Sequence, residues 1–189
     1  MPRTVDSDAR RAEIADAALT LVARSGVEAV SLRAVAAEAG VSMGRVQHWF
    51  PGKDALLLHA LERSHRRMEQ RIEARAGAAG GSERDVLATI LDELLGEHPE
   101  TRDAIRIHAA FATREVDERT RAILTDGDDE IRALTRAVVA DAGSADPDTD
   151  ADALLALTSG LSHDVVLNGA PVARARRTLI AMLDRLAPP

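Results

Sequence analysis

The stretch AGVSMGRVQHWFPGKD, residues 39–54, is dense in hydrogen-bonding side chains and contains the only tryptophan of the chain. It lies in a sequence of 189 residues whose formal net charge is −7 at pH 7. Two interpretations fit such a segment in an acidic protein. Its glycines and serines are either the ordinary stops and starts of helices, or part of a surface shaped to fit DNA.

The spacing predicts two short helices joined by a glycine-containing turn, which is the helix-turn-helix layout. Ser31 is placed to cap the first helix, Gly40 permits the bend, and Ser42 is placed to cap the second helix. Gly44 lacks the Cβ that would hold a backbone away from DNA. Two side chains of the second helix suit guanine or adenine edges in the major groove, Arg45 and Gln47. A helical hairpin inside a bundle would share these features, so spacing alone leaves both interpretations open.

Apolar residues recur at helical spacing through the rest of the chain, and no alternating strand pattern is present. Hydrophobic residues make up 46% of the chain but aromatic residues only 2%, which favours a core of alanine, leucine, valine and isoleucine. The predicted fold class is all-α, with about nine helices. One of them covers residues 117–142, with a kink or break expected at Gly127. We expect two domains, one over residues 1–52 that holds the candidate helix-turn-helix and one over residues 53–189, with a helix over residues 53–75 connecting them.

Charge is distributed unevenly along the chain. Residues 1–75 hold 12 basic and 10 acidic residues, a balance of +2, whereas residues 76–189 hold 12 basic and 21 acidic residues, a balance of −9. Only the first part is therefore expected to meet a polyanion such as DNA.

Several classes of protein are disfavoured by the composition. The chain has no cysteine, which excludes disulfides and thiolate chemistry. No signal peptide and no apolar run of membrane-spanning length is visible, so we expect a cytoplasmic protein without a membrane partner. Ser162, His163 and Asp164 are adjacent in sequence, which is not the geometry of a catalytic triad, and the histidines lack metal-binding spacing. We therefore expect no enzyme activity, catalytic residue, metal or cofactor.

The segment SLRAVAAEAGVSMGRVQHWFPGKDALL, residues 31–57, resembles the signature of the tetracycline-repressor (TetR) family of one-component regulators. The shared features are the hydroxyl residue that opens the second helix, the Ala-Gly-Val-Ser turn, the glycine two residues on, the aromatic pair and the lysine after it. Gln47 stands where the family most often has tyrosine. Residues 149–189 more loosely resemble the branch that includes choline-pathway repressors.

The resemblance implies roles for nine residues in DNA binding. Phosphates would be held by Ser42, Gly44, His48 and Lys53, and bases would be faced by Arg45, Gln47 and Met43. Arg33 would lie against the flanking backbone. Trp49 is expected to place its indole N–H on a phosphate, although packing against the fourth helix is an alternative. Phe50 is expected in the core.

The resemblance also implies a ligand pocket among the middle helices and a homodimer formed by the last two. The candidate pocket residues are Met68, Thr89, His108 and Phe111. Two apolar stripes suit the dimer interface, one of Leu154, Leu157, Leu161 and Val165, the other of Leu179, Met182, Leu183 and Leu186. Taken singly, each of these residues fits the chain's own core better than an interface, but together they exceed what one small core needs.

These features lead to the hypothesis of a ligand-responsive repressor that binds a near-palindromic double-stranded DNA operator as a homodimer, with an unidentified small-molecule effector. Two alternatives remain, a transcriptional activator and a non-specific DNA-organising protein without an effector. The weak positive balance of the first part argues against the organising protein.

Overall fold

The computed structural model describes residues 3–79, 81–112 and 115–189, and within these ranges it contains ten α-helices, one 3-10 turn and no strand. The all-α prediction is confirmed, although the count is ten rather than nine. The helices are α1 (Arg3–Ser25), α2 (Leu32–Glu38), α3 (Met43–Trp49), α4 (Lys53–Ala79), α5 (Glu83–Glu93), α6 (Pro99–Phe111), α7 (Glu118–Leu124), α8 (Asp128–Asp141), α9 (Pro147–Asn168) and α10 (Val172–Leu186). The 3-10 turn, Val27–Ala29, lies between α1 and α2.

The additional helix arises where residues 117–142 divide into α7 and α8. Gly127 precedes α8 with a φ of 84°, the left-handed region that glycine enters without steric cost. A continuous helix cannot pass through that conformation. Of the kink or break expected at Gly127, the structure therefore has the break, which separates two helices.

Side-chain caps fix several of the helix starts. Ser31 accepts a hydrogen bond from the backbone N–H of Ala34 at the start of α2, at 3.1 Å. Ser82 and Asp85 form a reciprocal capping box at the start of α5. Asp146 accepts from the N–H of Thr149 at the start of α9, so that helix begins at Pro147, a residue suited to a first turn.

The helices group into two compact units. The first unit consists of residues 1–67 and 102–124, and the second unit of residues 68–101 and 125–189. This division differs from the expected segments 1–52 and 53–189 in two ways. Helix α4 supplies residues to both units, and most of α6 together with α7 belongs with the N-terminal helices.

Each unit has its own apolar core. In the first unit, side chains from α1 to α4 and α6 form one buried cluster that includes Ile14, Val35, Val46, Phe50 and Ile107. In the second unit, α8 packs on α9, α9 on α10, and α5 on both α8 and α10. Its buried leucines are Leu87, Leu91, Leu95, Leu154, Leu179 and Leu183. Phe50 is thus a core residue, as expected.

No helix in the described part of the chain combines the length and apolar character needed to cross a membrane.

Candidate DNA-binding surface and ligand cavities

The turn between α2 and α3 is built from backbone hydrogen bonds. The N–H of Gly40 donates to the carbonyl of Ala37, and the N–H of Val41 donates to the carbonyl of Ala36, which is the Schellman arrangement that ends a helix. Gly40 has a φ of 63°, in the left-handed region this arrangement requires. Val41 packs against the core of the first unit, so α3 is held at a fixed angle to α2.

Helix α3 is anchored by one side and exposed on the other. Val46 is fully buried beneath it, and Ser42 caps its first turn by accepting from the N–H of Arg45 at 3.3 Å. Apart from Trp49, the residues expected to contact DNA from this helix are exposed, including Met43 at 41%. With Arg33 of α2 included, the exposed residues that are expected to contact DNA are Arg33, Ser42, Met43, Gly44, Arg45, Gln47 and His48. An exposed polar face with free N-terminal amides is able to approach phosphates and base edges.

Trp49 and Lys53 are only half-buried at the end of this surface. The Trp49 ring lies edge-on to the ring of His48, with centroids 4.9 Å apart, and also packs on the core of the first unit. The Lys53 ammonium lies 4.0 Å from a carboxylate oxygen of Glu28, a side chain that is 98% exposed. Such a loose surface pair is easily replaced by a phosphate.

Helix α4 is fastened to α1 within the first unit. Asp16 on α1 accepts two hydrogen bonds from the guanidinium of Arg63, at 2.8 and 3.1 Å, and a third from Arg67 at 3.1 Å. Because Lys53 begins α4, this connection helps to fix its position relative to α3. Nothing in the sequence pattern pointed to Asp16.

The four residues expected to form the ligand pocket divide between the units. His108 and Phe111 lie in the first unit, where His108 Nε2 is 3.1 Å from His65 Nε2 and Phe111 is buried along a cavity of about 510 Å³. Met68 and Thr89 lie in the second unit, where Thr89 lines a cavity of about 240 Å³. Phe111 and Thr89 therefore line separate cavities.

Another cavity of the second unit, of about 540 Å³, has a strongly charged lining that sequence reasoning missed. Glu93 is buried there and accepts hydrogen bonds from Arg71 at 3.0 and 3.2 Å, Arg75 at 3.2 Å and Thr101 at 2.7 Å. Arg75 also pairs with Asp92 at 3.0 Å. The only sequence signal was the spacing of the two arginines, four residues apart on one face of α4.

The ion pairs of this lining continue to α10 and shift the acidic pKa values. Asp92 accepts from Arg176 at 2.6 Å, and Arg176 also pairs with Glu97. Burial raises the pKa of Glu93, but hydrogen bonds from Thr101 and Arg71 outweigh burial and leave the pKa below its ordinary value. In the same way, the bonds from Arg176 and Arg75 overcome burial and lower the pKa of Asp92. Both groups are therefore ionised at neutral pH.

The eight residues expected at the dimer interface differ in burial. Four are buried within the single chain and thus belong to its own core, Leu154, Val165, Leu179 and Leu183. The other four are half-buried, Leu157, Leu161, Met182 and Leu186. The same two helices also carry two large apolar side chains that were not among the expected interface residues, Leu167 and Ile180, and each is 48% exposed. Three small residues of α9 are exposed as well, Ala153, Ala156 and Gly160.

The described residues contain no group of three or more histidine, aspartate or glutamate side chains placed to hold a metal ion.

Two family models match the chain and together cover most of it. Residues 14–60 match "Bacterial regulatory proteins, tetR family", and residues 83–188 match "BetI-type transcriptional repressor, C-terminal". The first match contains α2, the turn and α3, which form the exposed surface described above. The second begins at the first residue of α5 and extends two residues beyond α10.

Individual relatives agree with these matches. The chain is 29% identical to the HTH-type transcriptional regulator PksA of Bacillus subtilis (strain 168), with 96% of this chain and 91% of PksA covered. A crystal structure of a putative TetR-family regulator from Rhodococcus sp. superposes with a TM-score of 0.75 at 26% identity, over 94% of this chain and 98% of that one. A putative transcriptional regulator from Saccharomonospora viridis in complex with choline has a TM-score of 0.79 at 25% identity, over 94% and 96%. The resemblance stated from the sequence is confirmed: the chain belongs to the tetR family of DNA-binding transcriptional regulators, with a C-terminal part of the BetI type.

Proposed function

We propose that this regulator is a ligand-responsive repressor that binds a near-palindromic operator as a homodimer in the cytoplasm. The observation that carries the DNA-binding part is the exposed face of α3, where a glycine, a capping serine and polar side chains surround one buried anchor, Val46. Residues 1–52 contact DNA, and residues 53–189 carry effector binding and dimerisation. The repressor assignment is supported by the match of residues 83–188 to a family of repressors.

On the operator, the residues divide into two groups. Ser42, Gly44, His48, Trp49 and Lys53 hold phosphates and set the position of α3, with Arg33 on the flanking backbone. Arg45, Gln47 and Met43 face the bases, and the exposed Met43 side chain suits the methyl group of thymine. Two copies of α3 in a dimer would meet half-sites about one helical turn, ~34–36 Å, apart.

Selection of bound sites from a random duplex DNA library tests this assignment. We expect enrichment of one inverted repeat by the native protein and a changed sequence preference with Gln47→Ala. The matched control is Gln70→Ala, because Gln70 is the other glutamine of the chain and is exposed on α4 in the second unit. Failure to enrich any site at moderate salt would contradict the proposal. Binding with a steep salt dependence but no sequence preference would favour the DNA-organising alternative.

Substitutions of Lys53 and Glu28 are expected to change DNA affinity in opposite directions. Lys53→Ala removes a phosphate contact and should weaken binding to all sequences about equally, with a smaller salt slope. Glu28→Gln removes the carboxylate that lies 4.0 Å from the Lys53 ammonium and a negative charge near the DNA, so operator affinity should rise about two- to fivefold. Equal losses for both variants would place the lysine in a structural role instead.

The effector is proposed to occupy the 540 Å³ cavity of the second unit. Three carboxylates line it, those of Asp92, Glu93 and Glu97, against two guanidinium groups, those of Arg71 and Arg75. Arg176 pairs with Asp92 and Glu97 from outside the lining and balances the third carboxylate, so the choice of a small cation comes from one structural relative, whose structure is a complex with choline. All three aromatic residues of the chain lie outside the second unit, so carboxylates rather than an aromatic cage would hold the positive charge.

Choline is therefore the first probe for effector binding. We expect calorimetric binding to the native protein and a 5–150-fold change in operator affinity, the usual range of allosteric coupling. Glu97→Gln should weaken choline binding because it removes a carboxylate of the lining and leaves Arg176 with one partner fewer. Asp148→Asn is the matched control, since Asp148 pairs with Arg136 outside the cavity. Identical choline affinity in the two variants would contradict this site.

A further inference from the structure

The first unit contains a cavity that the proposed function does not use. It measures about 510 Å³, a size typical of small-molecule sites. The chain has only one tryptophan, two phenylalanines and no tyrosine, and Trp49, Phe50 and Phe111 all line this cavity. Leu58, Val116 and Ile123 add apolar surface. Such walls favour an occupant with a flat, mostly apolar body.

One hydrogen-bond donor in the lining lacks an acceptor. The Nε of Arg11 is buried and makes no hydrogen bond to any described residue, while its guanidinium carbon lies 5.5 Å from the centroid of the Phe50 ring. A buried donor without an acceptor is uncommon in native proteins because its lost hydration is not replaced. An acceptor atom of a bound molecule would satisfy it.

The charges of the lining restrict what that acceptor can be. Four carboxylates, those of Asp54, Glu62, Glu115 and Asp117, outnumber two guanidinium groups, those of Arg11 and Arg119. Burial lowers the pKa of His59, and the nearby charge of Arg11 lowers it further, so this imidazole is neutral at pH 7 and adds no positive charge. The lining is therefore negative by two charges and repels an anion. A cation would not accept the hydrogen bond of Arg11 Nε, and it would lie beside the positive charge of the Arg11 guanidinium.

We propose that this cavity binds a neutral planar molecule that carries a carbonyl oxygen. The oxygen accepts the hydrogen bond from Arg11 Nε, and the flat body lies against Trp49. Because Trp49 is the last residue of α3, the occupant contacts the DNA-binding helix itself. The site lies wholly in the first unit and differs in its lining and in ligand charge from the cavity assigned above to the effector.

Two probes of nearly equal shape test the proposal, 2-acetylnaphthalene, which has the carbonyl oxygen, and 2-ethylnaphthalene, which lacks it. Binding is measured by calorimetry and by quenching of the fluorescence of Trp49, the sole tryptophan. A hydrogen bond to a charged donor predicts that the native protein binds the ketone at least about tenfold more tightly than the hydrocarbon. Arg11→Met should equalise the two affinities. Arg10→Met is the matched control on the same helix, because Arg10 pairs with Glu13 and does not line the cavity, and it should keep the preference.

A second variant tests the location without touching the arginine. Ala55→Leu places a larger side chain in the lining from the first turn of α4, so it should abolish binding of both probes while thermal unfolding stays cooperative. The proposal is overturned by equal affinities of the two probes in the native protein, by an unchanged ketone preference in Arg11→Met, or by undiminished binding in Ala55→Leu. Choline binding does not enter any of these readouts, so this test is separate from that of the effector cavity.

Discussion

Gly44 is the second residue of α3, and a Cβ built on it meets no protein atom within 4 Å. Its backbone is helical, so the fold does not require glycine at this position. Glycine costs a helix about 1 kcal/mol relative to alanine. The missing Cβ is explained instead if the α3 backbone approaches another molecule closely, as DNA binding demands.

We therefore predict that Gly44→Ala separates stability from binding. The free energy of unfolding, measured by urea denaturation, should rise by about 1 kcal/mol because alanine favours the helix. Operator affinity, measured by fluorescence anisotropy, should fall about tenfold because the methyl group keeps the DNA backbone at a distance. A variant that is more stable and binds equally well would show that DNA does not approach this residue.

At the scale of single residues, the sequence identified the exposed surface of α3 but missed side chains whose partners come from distant helices. Ser42, Gly44 and Gln47 were recognisable because local spacing fixes which face of a short helix is free. Arg11 and Glu93 were not, because their importance depends on partners and cavity walls supplied by other helices. Fifty or more residues separate Arg11 from most of the cavity it lines. No local pattern encodes such a contact.

The start of α3 combines a structural and a binding role in one side chain. Ser42 accepts the hydrogen bond of the Arg45 N–H and is also the proposed phosphate contact. Asparagine and aspartate both cap helices as well as serine does, but only aspartate brings a negative charge. The two substitutions are nearly isosteric, so their comparison isolates that charge.

Ser42→Asn and Ser42→Asp are both expected to keep the melting temperature within about 2 °C of native, since each retains the cap. Ser42→Asp should weaken operator binding by at least about tenfold through repulsion of the phosphate, whereas Ser42→Asn should lose much less. Melting is followed by circular dichroism and binding by anisotropy. Equal affinity of the two variants would exclude a phosphate at this helix end.

The ion pairs that join α4, α5, α6 and α10 make the second unit sensitive to acid. Glu93 is buried with donors on three sides, and its pKa lies below the ordinary value because hydrogen bonds from Thr101 and Arg71 outweigh burial. A carboxylate whose pKa is lowered by folding stabilises the protein above its unfolded pKa, about 4.3. That stabilisation is lost as pH falls through the folded pKa.

Glu93→Gln should therefore lower the free energy of unfolding by about 3 kcal/mol at pH 7, the cost of breaking a buried ion pair. The difference from native should shrink as pH falls below the unfolded pKa and through the lowered folded pKa, where the native carboxylate becomes protonated. Urea denaturation at pH 7 and over a series of acidic pH values measures it. Glu69→Gln, at an exposed position of the same α4, is the control and should change stability by less than about 0.5 kcal/mol. A pH-independent difference would show that lost packing, not charge, explains the effect.

At the scale of helices, the sequence was accurate wherever a local signal ended or began a helix. Ser31 and Ser42 cap the helices that they were expected to cap. The count was one short because residues 117–142 were predicted as one helix with a kink or break at Gly127, although residues 125–130 carry no apolar side chain. Only the left-handed backbone of that glycine decides between a kink and two helices.

At the scale of the whole molecule, the sequence predicted two functional parts but not the grouping of the helices. A boundary after residue 52 follows the Pro51-Gly52 pair that precedes the connecting helix, whereas packing assigns residues 102–124 to the same unit as the N-terminal helices. Ile107 and Phe111 are buried in the core of that unit. From the sequence, Phe111 was expected in a ligand pocket, and the helical spacing of apolar residues does not say which helices pack against them.

The proposed homodimer makes a prediction for α9. Four expected interface residues are buried within the chain, so the face available to a second copy is the exposed one, with Ala153, Ala156 and Gly160 on α9 and Ile180 on α10. Small residues on α9 allow helices to approach closely, and Ile180 supplies exposed apolar area on α10. A charge placed on this face would be buried without a partner in a dimer but solvated in a monomer.

Ala156→Glu should therefore convert the dimer to a monomer in sedimentation equilibrium at micromolar concentration. Ala140→Glu makes the same change at an exposed position of α8 and should leave the mass of the native dimer unchanged. Loss of the dimer should also weaken binding to a full inverted repeat much more than binding to a half-site, because a dimer holds both copies of α3 on one DNA molecule. If both variants sediment as native dimers, the interface lies on another face. If the native protein itself sediments as a monomer, the homodimer proposal is wrong, and each copy binds a half-site independently.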